Sequence, residues 1–241
     1  MSTRLPILLR SPSKTQRLPT VTALEAVWDD VNRKPLWAPP NHWRYLALRW
    51  RMRLGLVRPE RTKVIAPSGK VNDCAGCNDI CCVGPHSTVM LRLRDIATLI
   101  DIDRTDLIVT EKPTFSQAEL EARPALRRTT ASDAWRIFPV LRQNRYHACA
   151  ALTADGLCSL YPHWPMSCAR FPYSYHADDD EIFYSQRCDS YWVRPDTRAN
   201  ADSMARLAVE GYNERIKDMV LIAYARDRLE ETGLARYLNL S

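Results

Sequence analysis

The stretch Cys74-Ala-Gly-Cys77-Asn-Asp-Ile-Cys81-Cys82 places four of the chain's eight cysteines within nine residues. The two-residue gap between Cys74 and Cys77 lets both sulfurs reach one metal, and Gly76 supplies the turn between them. Asn78 and Asp79 favour turns, so Cys81 follows on a loop folded around something rather than on a regular helix. In extended backbone Cys81 and Cys82 point to opposite sides. Either they serve two different metal centres, or one of them is a small buried hydrophobe.

The other four thiols are Cys149, Cys158, Cys168 and Cys188, separated by eight, nine and nineteen residues. No short motif joins them, so the fold has to bring them together. Their setting is loop-rich, and Pro162, Pro165 and Pro172 fix the chain there. Prolines lower the entropy lost when such a loop is ordered, which suits ligands held by irregular backbone.

At 241 residues, with 46% hydrophobic and 26% charged side chains, the composition is that of a globular protein with a sizeable core. No apolar run approaches the ~20 residues that span a bilayer. The N-terminus has neither a signal-peptide apolar region nor a small-residue cleavage site, so a cytoplasmic location is expected. Cytosolic thiols are kept reduced, which favours metal ligands over disulfides.

The formal charge is +6, the sign that attracts nucleic acid or an acidic partner. Four thiolates around a dipositive core carry about −2 together. Two such sites would bring the holoprotein close to neutrality, so the charge alone says little about nucleic acid.

Along the chain, residues 1–20 read as a flexible basic arm and 21–62 as an N-terminal helical segment. Residues 63–195 read as the cysteine-cluster metal-binding domain and 196–241 as a C-terminal helical segment. Thr22 and Glu25 are expected to form a capping box opening a helix over about 22–34. A second helix at 42–58 carries Arg44, Arg49, Arg51 and Arg53 beside an apolar stripe; it reads first as a packing helix with a solvated arginine rim, and alternatively as a surface for an acidic protein partner or nucleic acid. The segment 86–103 reads as a short strand followed by a helix, and 135–152 as two strands joined near Gln143–Asn144. A hairpin is expected with its turn at Asp178–Asp180. A C-terminal helix over about 199–232 is open to a break at Gly211, with Gly233 as its stop. The expected fold is α+β: a small irregular core of short strands and loops organised by metal, flanked by helices at both ends.

The Cys-x-x-Cys…Cys-Cys cluster, followed by Cys149, Cys158, Tyr161, Pro165, Cys168, Phe171 and Pro172 and trailed by Cys188, resembles the YkgJ-type cysteine-cluster family. Members are described as zinc- or iron-chelating domains. The likeness covers roughly residues 72–190, including the apolar strand and Asp-Ile helix within 89–100. Three residues stand between Cys77 and Cys81 where the family pattern has two. Its Arg-Pro is Trp164-Pro165 here, and its arginine after Cys168 falls one place later, at Arg170. Through the cysteine-rich part of flagellin lysine N-methylases the resemblance implies an iron–sulfur site and a protein-modifying activity. The chain has no Gly-x-Gly-x-x-Gly and no phosphate-binding loop.

Cys74, Cys77, Cys81, Cys82, Cys149, Cys158, Cys168 and Cys188 are therefore the expected metal ligands. Thiolate sites suit both zinc and iron–sulfur clusters. One Cys-x-x-Cys pair with further remote cysteines leans towards iron–sulfur, because zinc sites more often combine two such pairs. His86, His147 and His163 lie near these thiols. His147 beside Cys149 also raises a nucleophilic-cysteine reading, which needs a lowered thiol pKa.

Overall fold

The computed structural model describes residues 18–33, 56–57, 63–64, 70–72, 82–83, 88–122, 124–156, 158–171, 173–176, 180–184, 191–193 and 198–240. Expectations for the arm before residue 18, for the helix at 42–58 apart from Leu56 and Val57, and for Cys74, Cys77, Cys81, His86 and Cys188 lie outside them. The fold is α+β, with helices near both ends of the chain.

Helix α1 spans Pro19–Arg33 and buries Val21, Leu24, Val27 and Val31 on one face. It starts three residues before the expected position. Proline is at home in the first helical turn, where its missing N–H would have no partner. The expected capping box does not form. Thr22 Oγ1 instead donates to the Leu18 carbonyl at 3.0 Å. The N–H groups of Thr20 and Val21 donate to the Asp101 carboxylate at 2.9 to 3.1 Å. A negative charge from a distant helix satisfies donors that the helix leaves open.

That carboxylate ends helix α2, Leu93–Asp101, whose Leu93, Ile96, Ala97 and Leu99 are at most 1% exposed. Strand β1 is Lys63–Val64, β2 Lys70–Asn72, β3 Ile108–Val109 and β4 Val140–Leu141. Between β3 and β4, residues left without an assignment by sequence form three short helices: α3 Gln117–Ala122, α4 Pro124–Thr130 and α5 Asp133–Ile137. The expected extended run over 135–152 is thus helical at its start. Ser132 caps α5 by accepting the Trp135 N–H at 3.2 Å, and this outweighs the strand preference of Trp and Ile. Strands β3 and β4 then pair antiparallel, and Met90 bridges to Val140.

Helix α6, Met166–Ala169, precedes the hairpin β5 (Tyr173–His176) and β6 (Glu181–Tyr184). The hairpin pairs antiparallel across the expected acidic turn, with β1 added parallel to β6. Strand β7, Tyr191–Val193, pairs antiparallel with β2. Helix α7, Arg198–Tyr224, runs through Gly211 without a break, and α8, Arg226–Glu231, follows. Gly233 stops α8 as expected, at φ 75°, where glycine carries no Cβ penalty.

One main core joins α1, α2, Phe138, Leu141, Leu160 and the C-terminal residues Val220, Leu221, Leu229 and Leu234. The N-terminal, cysteine-bearing and C-terminal segments therefore share it. A smaller cluster sets Ala208 and Val209 of α7 against Tyr173 and Ile182 of the hairpin. Each fully buried Leu or Ile contributes roughly 1.5–3 kcal/mol, so α7, present in both clusters, holds the two parts together. No helix among the described residues is long and apolar enough to cross a membrane.

Candidate thiolate site

Four of the eight expected ligands fall on described residues: Cys82, Cys149, Cys158 and Cys168, all as free thiols. Two small turns present the middle pair. The Cys149 N–H donates to the Cys82 carbonyl at 2.7 Å, fixing these two segments side by side. Cys149 itself bridges to Gln143 across a tight turn. Asn144 accepts the N–H groups of Tyr146 and Ala148 at 2.8 and 3.0 Å, and His147 takes the left-handed conformation at φ 57°. A second bridge joins Leu152 to Cys158 around a turn closed by Gly156 at φ 75°.

Cys168 comes from α6, and a buried carboxylate sets where α6 begins. Asp95 Oδ1 accepts the Met166 N–H at 2.8 Å, while its Oδ2 accepts the Arg92 N–H at 2.8 Å. One side chain therefore caps its own helix and anchors the helix that bears the thiol. On the far side, Arg170 is held by the Tyr173 carbonyl at 3.2 Å and Ser174 Oγ at 3.3 Å. The displaced arginine thus fastens α6 to β5.

The four thiols share one neighbourhood. Burial pushes the Cys149 thiol above its usual pKa, and the neighbouring Cys82 and Cys158 add to the shift. Burial does the same to Cys158, again with Cys82 contributing. Cys168 is raised furthest, by burial first and then by Cys82, Asp95, Cys149 and Cys158. Yet Cys168 is also solvent-accessible by surface area.

N–H donors lie near these sulfurs as well. The backbone N–H groups of Ala151 and Leu152 nearby restrain the rise at Cys149, the Leu152 N–H donating to the Cys149 carbonyl at 3.0 Å. Cys158 Sγ accepts from the Leu160 N–H and the Trp164 indole N–H, with the Arg104 charge nearby. Each of these favours the thiolate over the thiol. Burial thus favours the protonated thiols, and these neighbours oppose it.

The nucleophilic reading of Cys149 does not agree with this geometry. Its thiol pKa is raised rather than lowered, and His147 sits exposed on the turn while Cys149 is buried.

A zinc ion with ~2.3 Å bonds to sulfur needs its thiolates only ~3.8 Å apart. Among the described residues no three His, Cys, Asp or Glu side chains are arranged to hold such an ion.

Beside the site lies a buried charge group that sequence reading missed. Asp218 of α7 is 2% exposed, and burial, opposed chiefly by the Arg92 charge, pushes its pKa up to about 8. Its Oδ2 and Arg92 Nη1 make no hydrogen bond. The Arg92 guanidinium lies 5.3 Å from the Phe138 ring centroid. The available signal was an acidic residue in the first turn of α2, Asp95, on an otherwise apolar face. Nothing in the sequence around Asp218 marks it. The chain matches no protein-family model, no curated protein and no solved structure.

Proposed function

We propose that this protein is an iron–sulfur protein in which Cys82, Cys149, Cys158 and Cys168 are ligands of one centre. What supports the reading is that thiols from four separate segments lie within electrostatic reach of one another: Cys82 acts on Cys149, Cys158 and Cys168, and Cys168 also feels Cys149 and Cys158. An unliganded cluster of four thiols has no packing advantage over apolar side chains, and crowding makes ionisation of each thiol harder. A cationic core removes that cost, because thiolates are its natural ligands. The N–H donors near Cys149 and Cys158 fit the same purpose, since hydrogen bonds to ligand sulfurs tune such centres.

When bound, a centre of this kind supplies one-electron transfer. The chain's own residues do the rest. Asp95 anchors the start of α6, which bears Cys168, and the two turns place Cys149 and Cys158. The sequence assigns Cys74, Cys77, Cys81 and Cys188 to metal as well.

Anaerobic purification followed by absorption spectroscopy and assay of iron, sulfide and zinc tests the reading. Broad visible absorbance with iron and acid-labile sulfide is expected, and Cys→Ser replacement at any of the four positions should at least halve the iron. A colourless protein with stoichiometric zinc would replace the cluster by a zinc site. A folded, cooperative protein with neither metal would remove the reading altogether.

A further inference from the structure

Asn213 of α7 hydrogen-bonds one distant residue twice. The Val57 N–H donates to Asn213 Oδ1 at 2.9 Å, and Asn213 Nδ2 donates to the Val57 carbonyl at 2.9 Å. An asparagine amide holds an acceptor and a donor group side by side, so it can pair with both backbone groups of one residue as a neighbouring strand does. The backbone of a helix is committed to its own ladder and has nothing to offer for that purpose. The amide therefore stands in for a strand partner that α7 cannot supply.

The two side chains at this pairing go to different places. Leu56 packs against the main core, and Val57 packs against the smaller cluster of Tyr173, Ile182, Ala208 and Val209. Asn213 follows Val209 by one helical turn, so it holds the backbone at the seam between the two cores. A few residues further on, Lys63–Val64 of β1 pairs parallel with β6, whose Ile182 belongs to the smaller cluster. Packing alone does not account for the choice of asparagine. It is half-buried, has low helix propensity and loses hydration on burial, so an apolar side chain of similar size would serve a purely packing role better.

We propose that Leu56–Val57 is a latched strap across the seam between the two cores, with Asn213 as its catch. While the catch holds, the smaller core is tied to the main one. When it releases, the strap and the β5–β6 hairpin open together and the main core stays closed. Among the described residues the smaller cluster buries far fewer side chains than the main core, so it is the part that opens at lower cost. The stretch before Leu56 carries Arg44, Arg49, Arg51 and Arg53, so the catch also fixes where that basic stretch joins the cores. None of this depends on the metal reading.

The test is amide hydrogen exchange, read by mass spectrometry, on the full-length protein and its Asn213→Leu and Asn213→Asp variants. N213L keeps the volume and removes both bonds. It should speed exchange at least about tenfold at Val57 and across the β5–β6 hairpin, while α2 and α8 stay within about twofold of wild type. N213D keeps the acceptor for the Val57 N–H and loses the donor to its carbonyl, so it should also speed exchange at both places. Faster exchange confined to Val57 would overturn the proposal, because the strap would then close on nothing but its own bond. Equal acceleration in α2 and α8 would overturn it too, since the two cores would then open as one. Unchanged exchange at Val57 would show that the amide holds nothing. Should N213L fail to fold, N213D decides by the same three readings.

Discussion

Gly211 is the place where a single methyl group tests whether the fold positions the thiolate site. Helix α7 passes through this residue unbroken, so intrinsic propensity predicts that Gly211→Ala should stabilise the protein by about 1 kcal/mol. The packing predicts the opposite. A Cβ at this position would stand 3.0 Å from Arg170 Cδ, 3.3 Å from Met166 Cγ and 3.4 Å from Arg170 Nε. Carbon atoms rest at about 3.5–4.0 Å, so α6 or its side chains have to yield. Arg170 cannot simply swing aside, because its guanidinium is tied to the Tyr173 carbonyl and Ser174 Oγ. Overpacking of this kind costs about 1–3 kcal/mol. Set against the helix gain, the net should be a loss of up to about 2 kcal/mol in urea unfolding. The larger effect should be local. Met166 and Arg170 flank Cys168 by two residues on either side, so relief of the clash moves that thiol. We expect G211A to lose at least half of its bound metal per chain while remaining folded. A variant that gains about 1 kcal/mol and keeps full metal would refute the close seating of α6 on α7, and with it the account of how Cys168 is held.

Two further outcomes follow from buried carboxylates. Asp218 has its pKa raised from 3.8 to about 8, so the folded state prefers it protonated. Stability from that preference is complete below about pH 4, is lost as pH rises towards 8, and is level beyond. At ~1.36 kcal/mol per pH unit the ceiling is roughly 5 kcal/mol. Asp218→Asn should remove this slope from unfolding measured between pH 4.5 and 8, and an unchanged slope would locate the titration elsewhere. Asp101→Ala leaves the N–H groups of Thr20 and Val21 without their acceptor and should cost about 1–2 kcal/mol, the usual range for a lost helix cap. Amide exchange in α1 should accelerate in that variant; if it does not, α1 is held by its apolar face alone.

What the sequence discloses and what it hides divide along the range of the forces involved. Apolar residues at helical spacing placed α1, α2 and α7, because each buries one face and that face is written locally. The hairpin around the acidic turn and the stop at Gly233 were equally legible, being turn chemistry confined to a few residues. Local signals failed where a distant partner competes with them. Thr22 and Glu25 spell a capping box, but Asp101 lies about eighty positions away and offers two carboxylate oxygens to the same donors. Glu25 is left 3.6 Å from Arg94 in an exposed ion pair, which is worth little. Gly211 reads as a helix breaker and instead marks a close approach, a distinction that only the neighbouring helix makes.

The thiols illustrate both cases. Clustering and cellular redox logic pointed to the cysteines as candidate ligands. Which of them meet was not legible. The bond from Cys149 to the Cys82 carbonyl, the two turns that aim Cys149 and Cys158, and the Asp95 bridge to α6 each join segments that no local pattern links. The supporting shell was the least visible part: Asp95, Arg170 and Trp164 read as an ordinary helix acid, a displaced family arginine and a bulky loop residue. Their roles become apparent only once Asp95 is seen to hold the start of α6, Arg170 its end and Trp164 the Cys158 sulfur. Replacing any one of them should therefore act on the four thiols through position or charge rather than by removing a thiol.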